Sequence, residues 1–239
     1  MRLNRRLLLA AWAMPGLGRA ATALEWVAAD LPPFAWESPG GPRGFAHDLA
    51  VAMSQRLGRP EQVTYVPWAR AVRMVEQGPH YGVFPLARTP ERELQFQWLV
   101  PLMTVRYGLY TLATEERLEL TQLRESRVGV LRGSPLVATL RVEGFKTVIA
   151  AKDYRDLLRL LTTGALDAIY AGSPMLEAAM DAYGHPRTGF ALQATLGEAP
   201  LYMAASLALD AAEAQRWVAA YRQLEDDGTV ARLRRRYFR

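Results

Sequence analysis

The sequence predicts an α/β protein built from two units of similar size, and three observations carry that expectation. Apolar runs of strand length alternate with stretches whose apolar residues recur every three to four positions, the order that gives parallel strands with crossover helices. Glycines stop the helical stretches and prolines break the extended ones. The chain has 239 residues, half of them hydrophobic, enough to bury a sizeable core in one large domain or two small ones.

Residues 24–29 read as a strand that Pro32 and Pro33 end, because proline fixes φ and supplies no donor. Ser38-Pro39-Gly40-Gly41-Pro42 reads as a turn. Phe45, Leu49, Met53 and Leu57 recur every four positions with Ala46 and Ala50 beside them, so a helix runs from Gly44 to Gly58, with Asp48 in the first turn where the dipole favours an acid. A strand over 63–66, a helix over 68–77 stopped by Gly78, and a short buried strand over 82–84 complete a β-α-β-α-β order. A two-stranded-looking stretch over 104–113 leads into the second unit: strand 127–131, helix 135–142, strand 148–150, a helix with Tyr154, Leu157, Leu158 and Leu161 on one face, and strand 168–171. Residues 173–183 read as helix, 190–193 as extended and 201–207 as strand. A long helix follows with Ala214, Trp217, Val218, Tyr221 and Leu224 on one face, then a last helix after Gly228. Two units of roughly a hundred residues each, joined by extended crossings, is the economical arrangement.

Residues 1–23 have the three-part layout of a secretory signal: a basic head, the apolar run 7–14 and a small-residue end, Ala21-Thr22-Ala23, with cleavage expected after Ala23. The apolar run is far shorter than the about 20 residues a membrane span needs. Arg2, Arg5 and Arg6 cluster instead of alternating with apolar positions, which argues against an amphipathic first helix. Cleavage would remove four of the 29 basic residues and none of the 24 acidic ones, taking the formal charge from +5 to +1. The basic balance therefore belongs to the leader, and nucleic acid is not expected as a partner. The chain has no cysteine, which excludes disulfides, thiolate metal sites, a thiol nucleophile and a cysteine-borne lipid anchor. A free, exported protein of a Gram-negative periplasm is expected.

His47, His80 and His185 lie tens of residues apart, and the mature chain has no phosphate-binding loop, dinucleotide fingerprint or nucleophile elbow. No metal, cofactor or catalytic residue is expected. The run Arg232-Leu233-Arg234-Arg235-Arg236 reads as the solvated face of the last helix. Two clusters are more informative because both follow a strand, where open α/β sheets bind ligands. In Arg88-Thr89-Pro90-Glu91-Arg92, Thr89 can cap a helix begun by Pro90, and Arg92 offers a planar fork to a carboxylate; the competing reading is a surface helix with a salt bridge from Arg92 to Glu91 or Glu93. In Pro67-Trp68-Ala69-Arg70 an indole and a guanidinium open a helix; the competing reading is core packing for Trp68 and solvent for Arg70.

Four stretches in this order resemble the bacterial extracellular solute-binding proteins of family 3, the periplasmic receptors of polar amino acid importers: Leu31-Pro32-Pro33-Phe34, Gly44-Phe45-Ala46-His47-Asp48-Leu49-Ala50, Thr89-Pro90-Glu91-Arg92 and Gly164-Ala165-Leu166-Asp167-Ala168, with Asp227-Gly228-Thr229 as a fifth. The resemblance implies the two-lobed, type 2 periplasmic-binding fold: a first lobe from 24–109 plus 201–239, a second from 110–200, and crossing strands near 107–111 and 200–203 as the hinge. It implies an ABC permease as partner, a monomer, and a solute carboxylate on Arg92 beside Thr89. Arg70 would assist Arg92, Trp68 or Phe34 would stack on the solute, and Leu86, Ser134, Gly172 and Ser173 would complete the lining. Gly172 stands where the family carries the acid that pairs with an α-ammonium, Ala87 where it carries a hydroxyl, and Leu31 where it carries an aromatic. An unpaired buried ammonium would cost several kcal/mol, so the expected solute is small and anionic, or an amino acid held by Glu198 or Asp153 instead. The same fold serves sensor modules and a few cyclohexadienyl dehydratases, for which Glu198 would be the acid.

Overall fold

Alternating apolar patterns become a single mixed sheet in the computed structural model, which describes residues 23–113 and 117–238. The expected leader, Ala23 apart, lies outside the described residues. Strand β1 (Glu25–Ala28) is followed by a small hairpin, β2 (Trp36–Ser38) and β3 (Gly41–Arg43), where a bare turn was expected. Helix α1 (Phe45–Arg56), β4 (Val63–Tyr65), α2 (Trp68–Gln77) and β5 (Tyr81–Ala87) then alternate, with β4 and β5 parallel to β1 on either side. A 3₁₀ turn (Pro90–Arg92) leads into β6 (Phe96–Leu112). The second half of the chain repeats the alternation: α3 (Leu120–Glu125), β7 (Arg127–Leu131), α4 (Leu136–Val142), β8 (Thr147–Ala151), α5 (Tyr154–Thr162), β9 (Ala168–Gly172) and α6 (Ser173–Ala182), with β8 and β9 parallel to β7. Strand β10 (Phe190–Ser206), α7 (Ala211–Asp226) and α8 (Thr229–Tyr237) end it.

The sheet order is β4-β1-β5-β10-β6-β9-β7-β8. Its two ends are parallel and each is flanked by its own helices, α1, α2, α7 and α8 at one end and α3 to α6 at the other. The middle is antiparallel, because β6 and β10 run past each other for 17 residues each and pair with both ends. The 104–113 stretch and the separate segments 190–193 and 201–207 of the sequence reading are thus parts of two unbroken strands. Strands β5 and β9 are buried on both faces, as parallel strands covered by helices are, which explains their continuous apolar runs.

Each end has its own packing. Trp26 stacks its edge on Trp217 at 5.3 Å and tilts against Phe84 at 5.5 Å, joining β1, β5 and α7. At the other end Tyr154, Leu157, Leu158 and Leu161 bury one face of α5. The two ends meet at Gly133: its φ of +82° needs a residue without a side chain, and an added Cβ would stand 2.9 Å from the Ala69 Cα at the start of α2. In α8 the expected solvated face is present, with Arg232, Arg234, Arg235 and Arg236 exposed.

Candidate functional site

The cleft between the two ends of the sheet is built from strand termini. At its floor lies a cavity of about 40 Å³, lined by Pro85 and Ala87 of β5, Arg92 of the 3₁₀ turn, Trp68 at the start of α2, Tyr107 of β6, Ser134 and Leu136 beyond β7, Tyr154 of α5 and Met175 of α6. That volume suits a group of only a few heavy atoms, such as a carboxylate. Arg92 donates through Nη2 to the Gly133 carbonyl at 2.9 Å and through Nη1 to the Ala87 carbonyl at 3.5 Å. Among the described residues it has no ion-pair partner: Glu93, the acid that could have claimed it, is held by Arg88 at 2.8 Å. Burial lowers the Arg92 pKa, and the nearby charges of Glu76 and Glu91 only partly restore it. A guanidinium taken from water and given only carbonyl partners is a receptor for an anion. Burial also pushes the Tyr107 phenol up to about 12, so it stays neutral beside Arg92 and can donate a hydrogen bond.

Two wider cavities lead away from this floor, one adjoining it and the second adjoining the first. One, of about 270 Å³, shares Leu31, Trp68 and Leu131 with it and is lined by Asp30, Glu37, Tyr65, Lys152 and Asp153. Here Tyr183 of the second half donates to Asp30 Oδ2 at 2.6 Å, while Asp30 Oδ1 and the Tyr65 hydroxyl are buried without partners. The other, of about 530 Å³, lies at the mouth against α2.

The structure brings Arg92, Trp68 and Ser134 of the expected set together at the floor. The Ser134 hydroxyl donates back to the Leu131 carbonyl at 2.7 Å, so it shapes the turn. Gly172 is buried, and a Cβ there would meet Met175 and Tyr107, two walls of the floor cavity. Thr89 caps the 3₁₀ turn by position, without a side-chain hydrogen bond, and leaves its buried hydroxyl unpartnered. Arg70 is exposed and lines the mouth cavity, apart from Arg92. Two expectations need correction. Phe34 is fully buried at 0% exposure, its ring 5.4 Å from that of Phe238, which packs in turn on Phe45 of α1, so no face is left for a solute. Leu86 is also at 0%, because strand alternation turns it away from the face carrying Pro85 and Ala87. Glu198 is exposed on β10, 3.8 Å from Arg106, and lines none of these cavities. Asp153 lines one, but caps α5 by accepting from the Asp156 N–H at 2.7 Å.

Sequence reading missed Asp30, Tyr65, Tyr107, Tyr154, Met175 and Tyr183. The strand-end rule that singled out Trp68 would also have found Asp30, which follows β1 directly.

The model of the bacterial extracellular solute-binding proteins, family 3, matches residues 26–239. No curated protein matches the sequence. Solved structures share the fold: a histidine kinase sensor domain with similarity to periplasmic binding proteins (18% identity, 92% of this chain, 98% of that one, TM-score 0.80), and an ancestral arginine-binding protein bound to arginine (20%, 92% and 100%, 0.78). A third is the substrate-binding protein of an ABC uptake transporter from Streptococcus pneumoniae with bound histidine (16%, 90% and 92%, 0.80).

Proposed function

Since the chain belongs to the bacterial extracellular solute-binding proteins, family 3, we propose that it is a periplasmic receptor for a small carboxylate-bearing solute, which it delivers to an ABC importer. The observation that carries this reading is Arg92: a half-buried guanidinium at the carboxyl end of β5, facing a carboxylate-sized cavity, with backbone carbonyls as its partners. The lobes are 24–109 with 201–239 and 110–200, and β6 and β10, where those boundaries fall, form the hinge. Trp68 gives the solute an apolar floor. An amino group on the solute, where the family's acid is replaced by Gly172, finds Asp30 instead, whose buried Oδ1 lacks a partner in the adjoining cavity. Binding energy spent on groups from both lobes closes the cleft.

The test is direct. Mass spectrometry of small molecules released from freshly purified, denatured protein identifies the solute, and calorimetry with that solute on Arg92→Ala reads the role of the guanidinium. A loss of at least about 30-fold is expected, the scale of a charged hydrogen-bonded pair; unchanged affinity removes Arg92 from the site. The sensor-domain neighbour supports a second use of the same cleft, in which the closed form is read by a membrane partner. Co-purification with a permease or with a sensor protein separates the two.

A further inference from the structure

The widest cavity of the cleft, about 530 Å³ at its mouth, is lined by four cations: Arg70 and Arg73 from α2, Arg132 just after β7 and Lys152 just after β8. Their convergence follows from local structure. Trp68, Ala71, Val72 and Val75 take the buried face of α2, so Arg70 and Arg73, three residues apart, share the opposite one. Arg132 and Lys152 leave the carboxyl ends of two adjacent parallel strands. Among the described residues none of the four joins an ion pair, and no carboxylate lines this cavity. The Arg132 guanidinium reaches a single backbone carbonyl, that of Ala150, at 3.3 Å. Several other surface arginines are paired: Arg56 with Asp227, Arg127 with Asp167, Arg187 with Glu177 and Asp181.

Two of these cations belong to each half of the molecule, so their mutual repulsion opposes the approach of the halves. An anion seated among them reverses the sign and draws the halves together. The mouth cavity connects with the floor: it shares Pro67 and Lys152 with the middle cavity, which shares Leu31, Trp68 and Leu131 with the cavity of Arg92. On the reading that Arg92 takes one carboxylate, we propose that the solute carries a second anionic group, carboxylate or phosphate, held by Arg70, Arg73, Arg132 and Lys152. The receptor then selects small molecules with two or more negative groups, and the distal anion drives closure.

Calorimetry with four probes tests this: butyrate as the single-charge control, glutarate and tricarballylate for distal carboxylates, and 3-phosphonopropionate for a distal phosphate-like group. At least one multiply charged probe is expected to bind about 30-fold more tightly than butyrate. In Arg73→Gln/Lys152→Gln, which removes one cation from each half, that advantage falls to threefold or less while butyrate is unaffected. Both residues are exposed, so the variant keeps the parent's melting temperature. Multiply charged probes that bind no better than butyrate overturn the proposal, as does a variant that weakens butyrate equally. Arg92→Gln keeps the two readings apart: butyrate binding lost in that variant, with no gain from a second charge, leaves the Arg92 reading standing and removes the distal site. A gain from the second charge that persists in Arg92→Gln while butyrate affinity stays that of the parent supports the distal site and removes Arg92.

Discussion

An added Cβ at Gly172 would stand 2.7 Å from the Met175 Cε and 3.5 Å from Tyr107, both walls of the Arg92 cavity, so position 172 lies beside that cavity although it has no side chain. Met175 fills the space that an acid at 172 would use, and its unbranched thioether end can move. Gly172→Asp combined with Met175→Ala is therefore expected to raise affinity for an L-α-amino acid such as glutamine by at least about tenfold, one charge-assisted contact, read by calorimetry; no gain means that position 172 does not meet the ammonium. At this scale the sequence was legible where a residue's position depends on its place after a strand, as for Arg92, Trp68 and Ser134, which line one cavity. Phe34 and Leu86 also lie near strand ends, but burial decides their role, and burial depends on which helix lies above: α1 and the segment after α8 enclose Phe34. Asp30 and its donor Tyr183 are 153 residues apart, so no local pattern pairs them.

Elements were legible wherever one period held. Helices α1, α2, α5 and α7 stand close to their expected places because three- and four-residue spacing marks a buried face. Strands β6 and β10 are longer than the segments expected from sequence; each carries a proline, Pro101 and Pro200, close to the register shift at Leu201/Tyr202, where a strand tolerates it. The short α3 was missed although Glu119 and Gln122 form a reciprocal capping box, an acidic form of the usual signal. Helix α7 carries a contact invisible to periodicity: Glu213 is fully buried, bound by both terminal guanidinium nitrogens of Arg59, by Trp217 Nε1 at 2.9 Å, by the Leu24 N–H at 3.3 Å and by Arg216 Nη1 at 3.4 Å. Burial alone would raise its pKa, but these donors outweigh it and lower the pKa to about 2. A carboxyl with a depressed folded pKa contributes stability above its unfolded value of 4.5, and that contribution is lost as pH falls from there toward 2. Arg59→Met leaves only the exposed Arg216, 3.4 Å away, to balance the carboxylate and is expected to cost about 2–3 kcal/mol in urea unfolding at pH 7. The loss should shrink as pH falls below 4.5; a pH-independent difference would show that lost packing, rather than the charge pair, is responsible.

At the scale of the whole molecule, the closure proposed above acts on the contacts that cross the cleft. Arg92 reaches the Gly133 carbonyl, Gly133 presses on Ala69, and Tyr183 of the second half donates to Asp30 of the first. The last contact carries a pH dependence. Burial raises the Asp30 pKa above 3.8, and the opposing effects of the Tyr183 hydrogen bond and the Arg155 charge do not cancel it; Asp153 and Glu37 raise it further. Opening the cleft exposes the carboxyl and returns its pKa toward the ordinary value, so the closed form binds the proton more tightly than the open one. Closure is thus favoured as pH falls through the raised pKa and loses that advantage above it. Between pH 7 and pH 4 Glu213 stays ionised, so the fold does not confuse the reading. Small-angle scattering on the parent should show the radius of gyration decreasing from pH 7 to pH 4. Asp30→Asn, neutral throughout and still able to accept from Tyr183, should stay compact at both values. A parent and variant that share one pH profile would place the switch elsewhere in the cleft, with Glu37 and Asp153, the other acids lining the same cavity, as the next residues to replace.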